Sequence, residues 1–207
     1  MTEAEWLACN DPRPMVEFLQ GIASNRKLRL FACACCRLGN LLAPEAYRRA
    51  VQIAERYADK SASLTELFAA ARWVRSAEEN AGEVTMKWVA SVVESTTYQD
   101  AWWGAREAVR WLVPLSRSDV AKVCLCDLFG PLPFRDVVIG SARLGDGGTV
   151  RRLAQTIYAE RAFDRLPILA DALEDAGCDN ADILAHCRGP GPHVRGCWVV
   201  DLLLGKE

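Results

Sequence analysis

Apolar residues recur along this chain at intervals of three and four, the spacing of one helix face, and caps or breakers punctuate nearly every run. Thr2-Glu3-Ala4-Glu5 reads as a capping box opening a short turn with Trp6 and Leu7. Asp11-Pro12 starts a second helix, with Met15, Phe18 and Leu19 as its stripe and Gly21 as its stop. Ser24 caps NRKLRLFACACCRL, whose face is Leu28, Phe31, Cys35 and Leu38, and Gly39 ends it. Pro44 opens a helix with Tyr47, Ala50, Val51 and Ala54 in register. Ser63-Leu64-Thr65-Glu66 is a second capping box, leading into Leu67, Phe68, Ala71 and Val74, with Gly82 as interruption.

Val84 to Glu94 and Gln99 to Leu112 read as two helices, or one bent around Ser95-Thr96-Thr97, with Trp88, Trp102, Trp103 and Trp111 supplying buried area. Ser118-Asp119 caps a helix ending before Gly130-Pro131-Leu132-Pro133. From there to Gly148 the helical pattern lapses. Val137-Val138-Ile139 lacks strand partners, so an ordered loop is predicted near 130–148. Thr149 caps TVRRLAQTIYAER; Asp164 begins DRLPILADALEDAG, with Pro167 in the first turn; Asp179 or Asn180 caps ADILAHC; and a last helix runs from about Val194 to Leu204. The expected fold is all-α, a multi-helix bundle or irregular helical array. It is read as one domain over 1–207, with a subdivision into 1–129 and 149–207 around the loop.

Composition supports a packed core: 51% of residues are hydrophobic, a globular value. The formal net charge of −2 supplies no global field for nucleic acid or an anionic membrane. The basic clusters (Arg26, Lys27 and Arg29; Arg48 and Arg49; Arg151 and Arg152) are interleaved with acids and read as solvated helix faces, so nucleic-acid binding is not expected. No apolar run has the length of a membrane span, and the start MTEAEWLACNDPRP has no signal-peptide core, so a cytoplasmic protein is expected. In a reducing compartment its nine cysteines would be thiols, mostly serving as small buried hydrophobes.

The segments WLACNDPRPM, RKLRLFACACCR, RAVQIAERYAD, CDLFGPLPFR and the long tail RAFDRLPILADALEDAGCDNADILAHCRGPGPHVRGCWVVDLLLGKE resemble a helical protein family abundant in planctomycete bacteria. The resemblance covers both ends and most of the length. The stretch RDVVIGSARLGDGGTV departs from it, since the family has a Pro/Trp-containing loop there. The family carries no assigned activity, so the resemblance implies fold and lineage, not chemistry.

Candidate chemistry gathers in the tail. His186, Cys187, His193 and Cys197 lie close together in the chain, and His193 and Cys197 would share a face if the last helix began by His193. Cys33 and Cys36, one helical turn apart, could bring two more soft ligands, so His186, His193, Cys197, Cys33 and Cys36 form a candidate zinc set. No paired CxxC motifs accompany it, and buried thiols are the simpler account. A redox role for Cys33 to Cys36 or Cys124 and Cys126 lacks a means of lowering a thiol pKa in mid-helix. Cys197, His193 and Asp201 at four-residue spacing suggest a nucleophilic site, but stacked residues on one helix point in parallel. Gly189-Pro190-Gly191-Pro192 is no phosphate loop, because its prolines remove the needed N–H groups; Gly189 and Pro190 read as a rigid turn delivering Trp198 to the core. Asp201, the one charge inside an apolar helix, needs a partner.

The sequence thus predicts a non-enzymatic cytoplasmic interaction or scaffold module with an unnamed protein partner and no cofactor. The alternative is a zinc-binding or thiol-dependent protein using the tail Cys/His residues.

Overall fold

Several helix caps are satisfied where the sequence places them, among them Thr2, Asp11, Ser24 and Asn180. Thr2 Oγ1 accepts from the Glu5 N–H while Glu5 Oε2 accepts from the Thr2 N–H at 2.8 Å, and Ser63 and Glu66 repeat the exchange. The computed structural model describes residues 1–79, 84–137 and 148–206, with 84–86 by backbone alone. Gly82 and 138–147, part of the expected loop, lie outside them. Among the described residues there are twelve α-helices, one 3-10 turn and no strand, so the protein is all-α. No helix among them is long and apolar enough to cross a membrane.

The chain divides into two compact units, Met1–Cys126 and Asp127–Glu207. The first begins with α1 (Glu3–Ala8), α2 (Pro12–Phe18), α3 (Asn25–Leu38) and α4 (Glu45–Ala58). Then follow α5 (Leu64–Glu79), α6 (Val84–Ser95), α7 (Ala101–Leu112) and most of α8 (Ser118–Phe129). α3 is its centre, packing on α4, α6 and α7 and buried continuously from Lys27 to Cys36. The bend at Ser95-Thr96-Thr97 separates two helices. Each of these hydroxyls donates to a carbonyl three residues back, at 2.6 to 2.7 Å, which satisfies the orphan carbonyls at the end of α6.

Two expectations for this unit change. The basic cluster on α3 is no solvated face: Lys27 and Arg29 are buried, and the Arg29 guanidinium donates to Thr96 O at 2.7 Å and Gln99 O at 3.1 Å. Burial pulls its pKa below the usual arginine value, and carbonyl acceptors make the position tolerable. The large buried indole of this unit is Trp6, whereas Trp103 is 43% exposed.

The second unit contains the end of α8, α9 (Gly148–Glu160), a 3-10 turn (Phe163–Arg165), α10 (Leu166–Asp175), α11 (Ala181–Arg188) and α12 (Trp198–Leu204). α9 starts at Gly148, so Thr149 lies inside its first turn rather than capping it. α12 starts at Trp198, four residues later than expected, because Gly196 at φ +97° turns the chain just before it. α9 packs on α10 and α12, and α11 on α10 and α12. Their shared core runs from Val137 and Val150 through Ile157, Leu169 and Ile183 to Trp198, Val200 and Leu203.

Gly130 ends α8 at φ +48°, and a Cβ there would fall 2.5 Å from Trp198 Nε1. The residue is required both by its backbone and by the indole. Gly130→Ala is expected to lower unfolding stability by about 2 kcal/mol or more, read as a lower urea midpoint. An unchanged midpoint would show that the indole yields freely.

Candidate metal centre

Four side chains meet inside the second unit, each placed by a local feature. Asp127 lies in the last turn of α8, held there by the stop at Gly130. His186 lies in the last turn of α11, whose start is fixed by Asn180: its Oδ1 accepts from the N–H groups of Asp182 and Ile183 at 3.1 and 3.2 Å. His193 follows the Gly189-Pro190-Gly191-Pro192 turn. Cys197 is the residue immediately before α12.

One potential ligand atom from each of Asp127, His186, His193 and Cys197 lies within 4.8 Å of all the others. His186 Nε2 is 3.1 Å from Cys197 Sγ and 3.2 Å from Asp127 Oδ1. His193 Nδ1 is 2.5 Å from the same Asp127 oxygen. The other oxygen, Oδ2, accepts the Val194 N–H at 2.8 Å, which fixes the carboxylate and leaves Oδ1 facing the imidazoles. The two imidazoles meet edge to face with centroids 4.7 Å apart, and His186 also lies 5.2 Å from the Trp198 ring. His193 Nε2 is buried with no hydrogen-bond partner among the described residues, so this ring addresses the cluster through Nδ1.

Burial acts to raise the Asp127 pKa, and the hydrogen bonds of His186 and His193 outweigh it, leaving the carboxyl below its ordinary value. Burial, with the Asp127 charge adding to it, pushes the Cys197 thiol well up; the Val200 and Val199 amides oppose this without reversing it. Neighbouring Cys187 is pushed up to about 12, again chiefly by burial. Neither thiol is an activated nucleophile.

The geometry bears on two readings, a proton relay and a metal. A Cys–His–Asp relay needs the acid on one imidazole nitrogen and the thiol on the other. Here Cys197 Sγ and Asp127 Oδ1 both face His186 Nε2. The imidazole does not bridge thiol and acid through its two nitrogens, so that relay is not assembled. A cation among these atoms would engage them all. Zinc bonds of about 2.0 to 2.3 Å would set tetrahedral ligand atoms about 3.3 to 3.6 Å apart. The two contacts of His186 Nε2 are within about half an ångström of that range, and the His193–Asp127 hydrogen bond would open by somewhat under 1 Å. A thiolate and a carboxylate would balance a divalent charge, which matters at a buried site.

Of the residues singled out in the sequence, His186, His193 and Cys197 are brought together and Cys33 and Cys36 are not among them. Those two lie in the core of the first unit, with Cys33 Sγ 4.0 Å from Val51 O and Cys36 Sγ 3.6 Å from Val92 O. They behave as buried apolar thiols, and burial raises Cys36 well above the usual value. All nine cysteines are free. His193 lies in the turn before α12, so it does not share a helix face with Cys197 and Asp201, and its acid is Asp127. Asp201 is buried but not alone. Trp198 is 1% exposed, and Gly189 and Pro190 begin the turn that leads to it. The candidate ligand that sequence reasoning missed is Asp127. Its one signal was a lone acid within the apolar run KVCLCDLF, the same signal that drew attention to Asp201.

Compared with family models, curated proteins and solved structures, the chain shows no significant match.

Asp127→Ala would leave the Val194 N–H and two imidazoles without their acceptor in a buried place. A loss of about 3 kcal/mol is expected in denaturant unfolding of the metal-free protein. A loss under about 0.5 kcal/mol, the size of an ordinary surface substitution, would mean the carboxylate is dispensable to the fold.

Proposed function

We propose that this protein is a non-catalytic helical module whose carboxy-terminal unit binds one zinc ion through Asp127 Oδ1, His186 Nε2, His193 Nδ1 and Cys197 Sγ. The observation that carries this reading is the convergence of those four residues, one potential ligand atom of each within 4.8 Å of the others, with Asp127 and Cys197 buried and the histidines partly so. Two imidazoles, one thiolate and one carboxylate make a borderline set suited to Zn²⁺: too poor in sulfur for Cu⁺ and too poor in oxygen for Mg²⁺ or Ca²⁺. The shared Nε2 contact argues against a Cys–His–Asp relay, and the raised thiol of Cys197 against a nucleophile. The wider frame, a protein-interaction or scaffold module, rests on the all-helical design and on exposed Leu7, Ile22 and Trp103 in the amino-terminal unit. The zinc reading rests on geometry.

Metal analysis tests it. Protein incubated with excess zinc and desalted should retain about one equivalent, and His186→Ala or Cys197→Ser should retain less than about a tenth. A double Cys33→Ala, Cys36→Ala variant should bind as the parent does, since both thiols are buried in the core of the first unit. Loaded parent protein holding under about a tenth of an equivalent would end the proposal.

A further inference from the structure

Three of the four proposed ligands lie between residues 186 and 197, and the segment joining them has a peculiar relation to the core. The apolar cluster of the second unit includes Cys187 and resumes at Cys197; nothing from 188 to 196 belongs to it. Val194 is buried, yet is not a member of that cluster. The segment is instead tied through polar groups that lead to the ligand set. The Val194 N–H donates to Asp127 Oδ2 and His193 Nδ1 meets Asp127 Oδ1. The Cys197 N–H donates to Val194 O at 2.9 Å. Beside them the Arg195 guanidinium lies over the Tyr158 ring, 4.4 Å from its centroid. By contrast α9, α10, α11 and α12 hold one another through Ile157, Leu169, Ile183, Trp198 and Val200.

We infer that the bound ion is a lock on the 189–196 turn: loading docks it, and metal loss releases it while the four helices stay packed. This rests on the zinc reading above. His193 and Cys197 are the two ends of a short arc that closes Val194, Arg195 and Gly196 against the unit. With an ion bound to both and to Asp127, opening the turn requires breaking a coordination bond. Without it, opening exchanges the hydrogen bonds to Asp127, the Arg195–Tyr158 contact and the segment's other polar contacts for water. Apolar burial, which keeps the helices together, offers the turn much less. Zinc availability would therefore be read out as exposure of one surface segment, a regulatory device rather than a reaction.

Trypsin reports this on the intact chain, because Arg195 must leave the Tyr158 ring and enter the protease, and Arg195-Gly196 is a cleavable bond. The zinc-loaded protein and the same protein stripped with a chelator are digested in parallel, and cleavage sites are timed by mass spectrometry. Cleavage after Arg195 should be at least about tenfold slower with zinc above its dissociation constant by that factor, since proteolysis follows the open population. Cleavage after Arg151 and Arg152 in α9 should not change. Equal rates after Arg195 in protein shown by metal analysis to be loaded would overturn the lock and leave the zinc reading standing. Acceleration after Arg151 and Arg152 on stripping would also overturn it, because the ion would then hold the whole unit. Failure to load zinc removes both. His193→Gln should show the stripped rate with or without zinc. Should that variant cleave rapidly in α9 as well, the loaded and stripped parent proteins decide the matter by themselves.

Discussion

A carboxylate in a protein interior must be met by donors, and in the second unit that requirement falls on Asp127. Its two oxygens are divided between a backbone N–H and two imidazoles, and those donors come from two pieces of chain, the turn before α12 and the end of α11. Oδ2 seats the turn at Val194. Oδ1 draws in His193 from that turn and His186 from α11, and His186 in turn meets the sulfur in front of α12. One buried acid thus sets the positions of the end of α8, the end of α11 and the start of α12. Hydrophobic burial is larger in total, but it is non-directional. It cannot by itself choose which rings face which oxygen.

The first unit shows the same constraint met by ordinary means. Glu55, 2% exposed, is held by the Arg37 fork at 2.7 and 2.8 Å. Arg29, with no carboxylate hydrogen bond among the described residues, uses main-chain carbonyls of the link between α6 and α7. Met by an ion pair in one case and by carbonyl acceptors in the other, these groups are held by ordinary protein partners. Asp127 differs in that its partners are two imidazoles and a neighbouring thiol, all of them metal ligands by chemistry. The cysteines make the same comparison within one residue type. Cys33 and Cys36 face carbonyl groups among apolar side chains, while Cys197 faces an imidazole nitrogen beside a carboxylate. Residue type did not separate them; neighbours did.

That contrast explains what could be read from the chain. Elements were legible because their signals are local: the exchange between Thr2 and Glu5, the Asn180 cap, the stop at Gly39 and the stripes on α3 and α4 all lie within a few residues of what they determine. Three of the four site residues were legible for the same reason, since His186, His193 and Cys197 are near neighbours in sequence. Asp127 was not, because it is 66 residues from His193 and joins it only through packing. The start of α12 was misplaced because Gly196 adopts a positive φ, and a helical pattern that continued through Arg195 concealed the turn. The burial of Arg29 was hidden similarly: its carbonyl partners lie 67 and 70 residues away.

The central claim is that one thiolate, two imidazoles and one carboxylate bind a single ion. X-ray absorption at the zinc edge of the loaded, full-length protein tests it most directly, because sulfur and lighter ligands scatter differently. The account predicts one sulfur at about 2.3 Å and three nitrogen or oxygen atoms at about 2.0 to 2.2 Å. A shell without sulfur, or one with two or more sulfurs drawn from other cysteines, would contradict it.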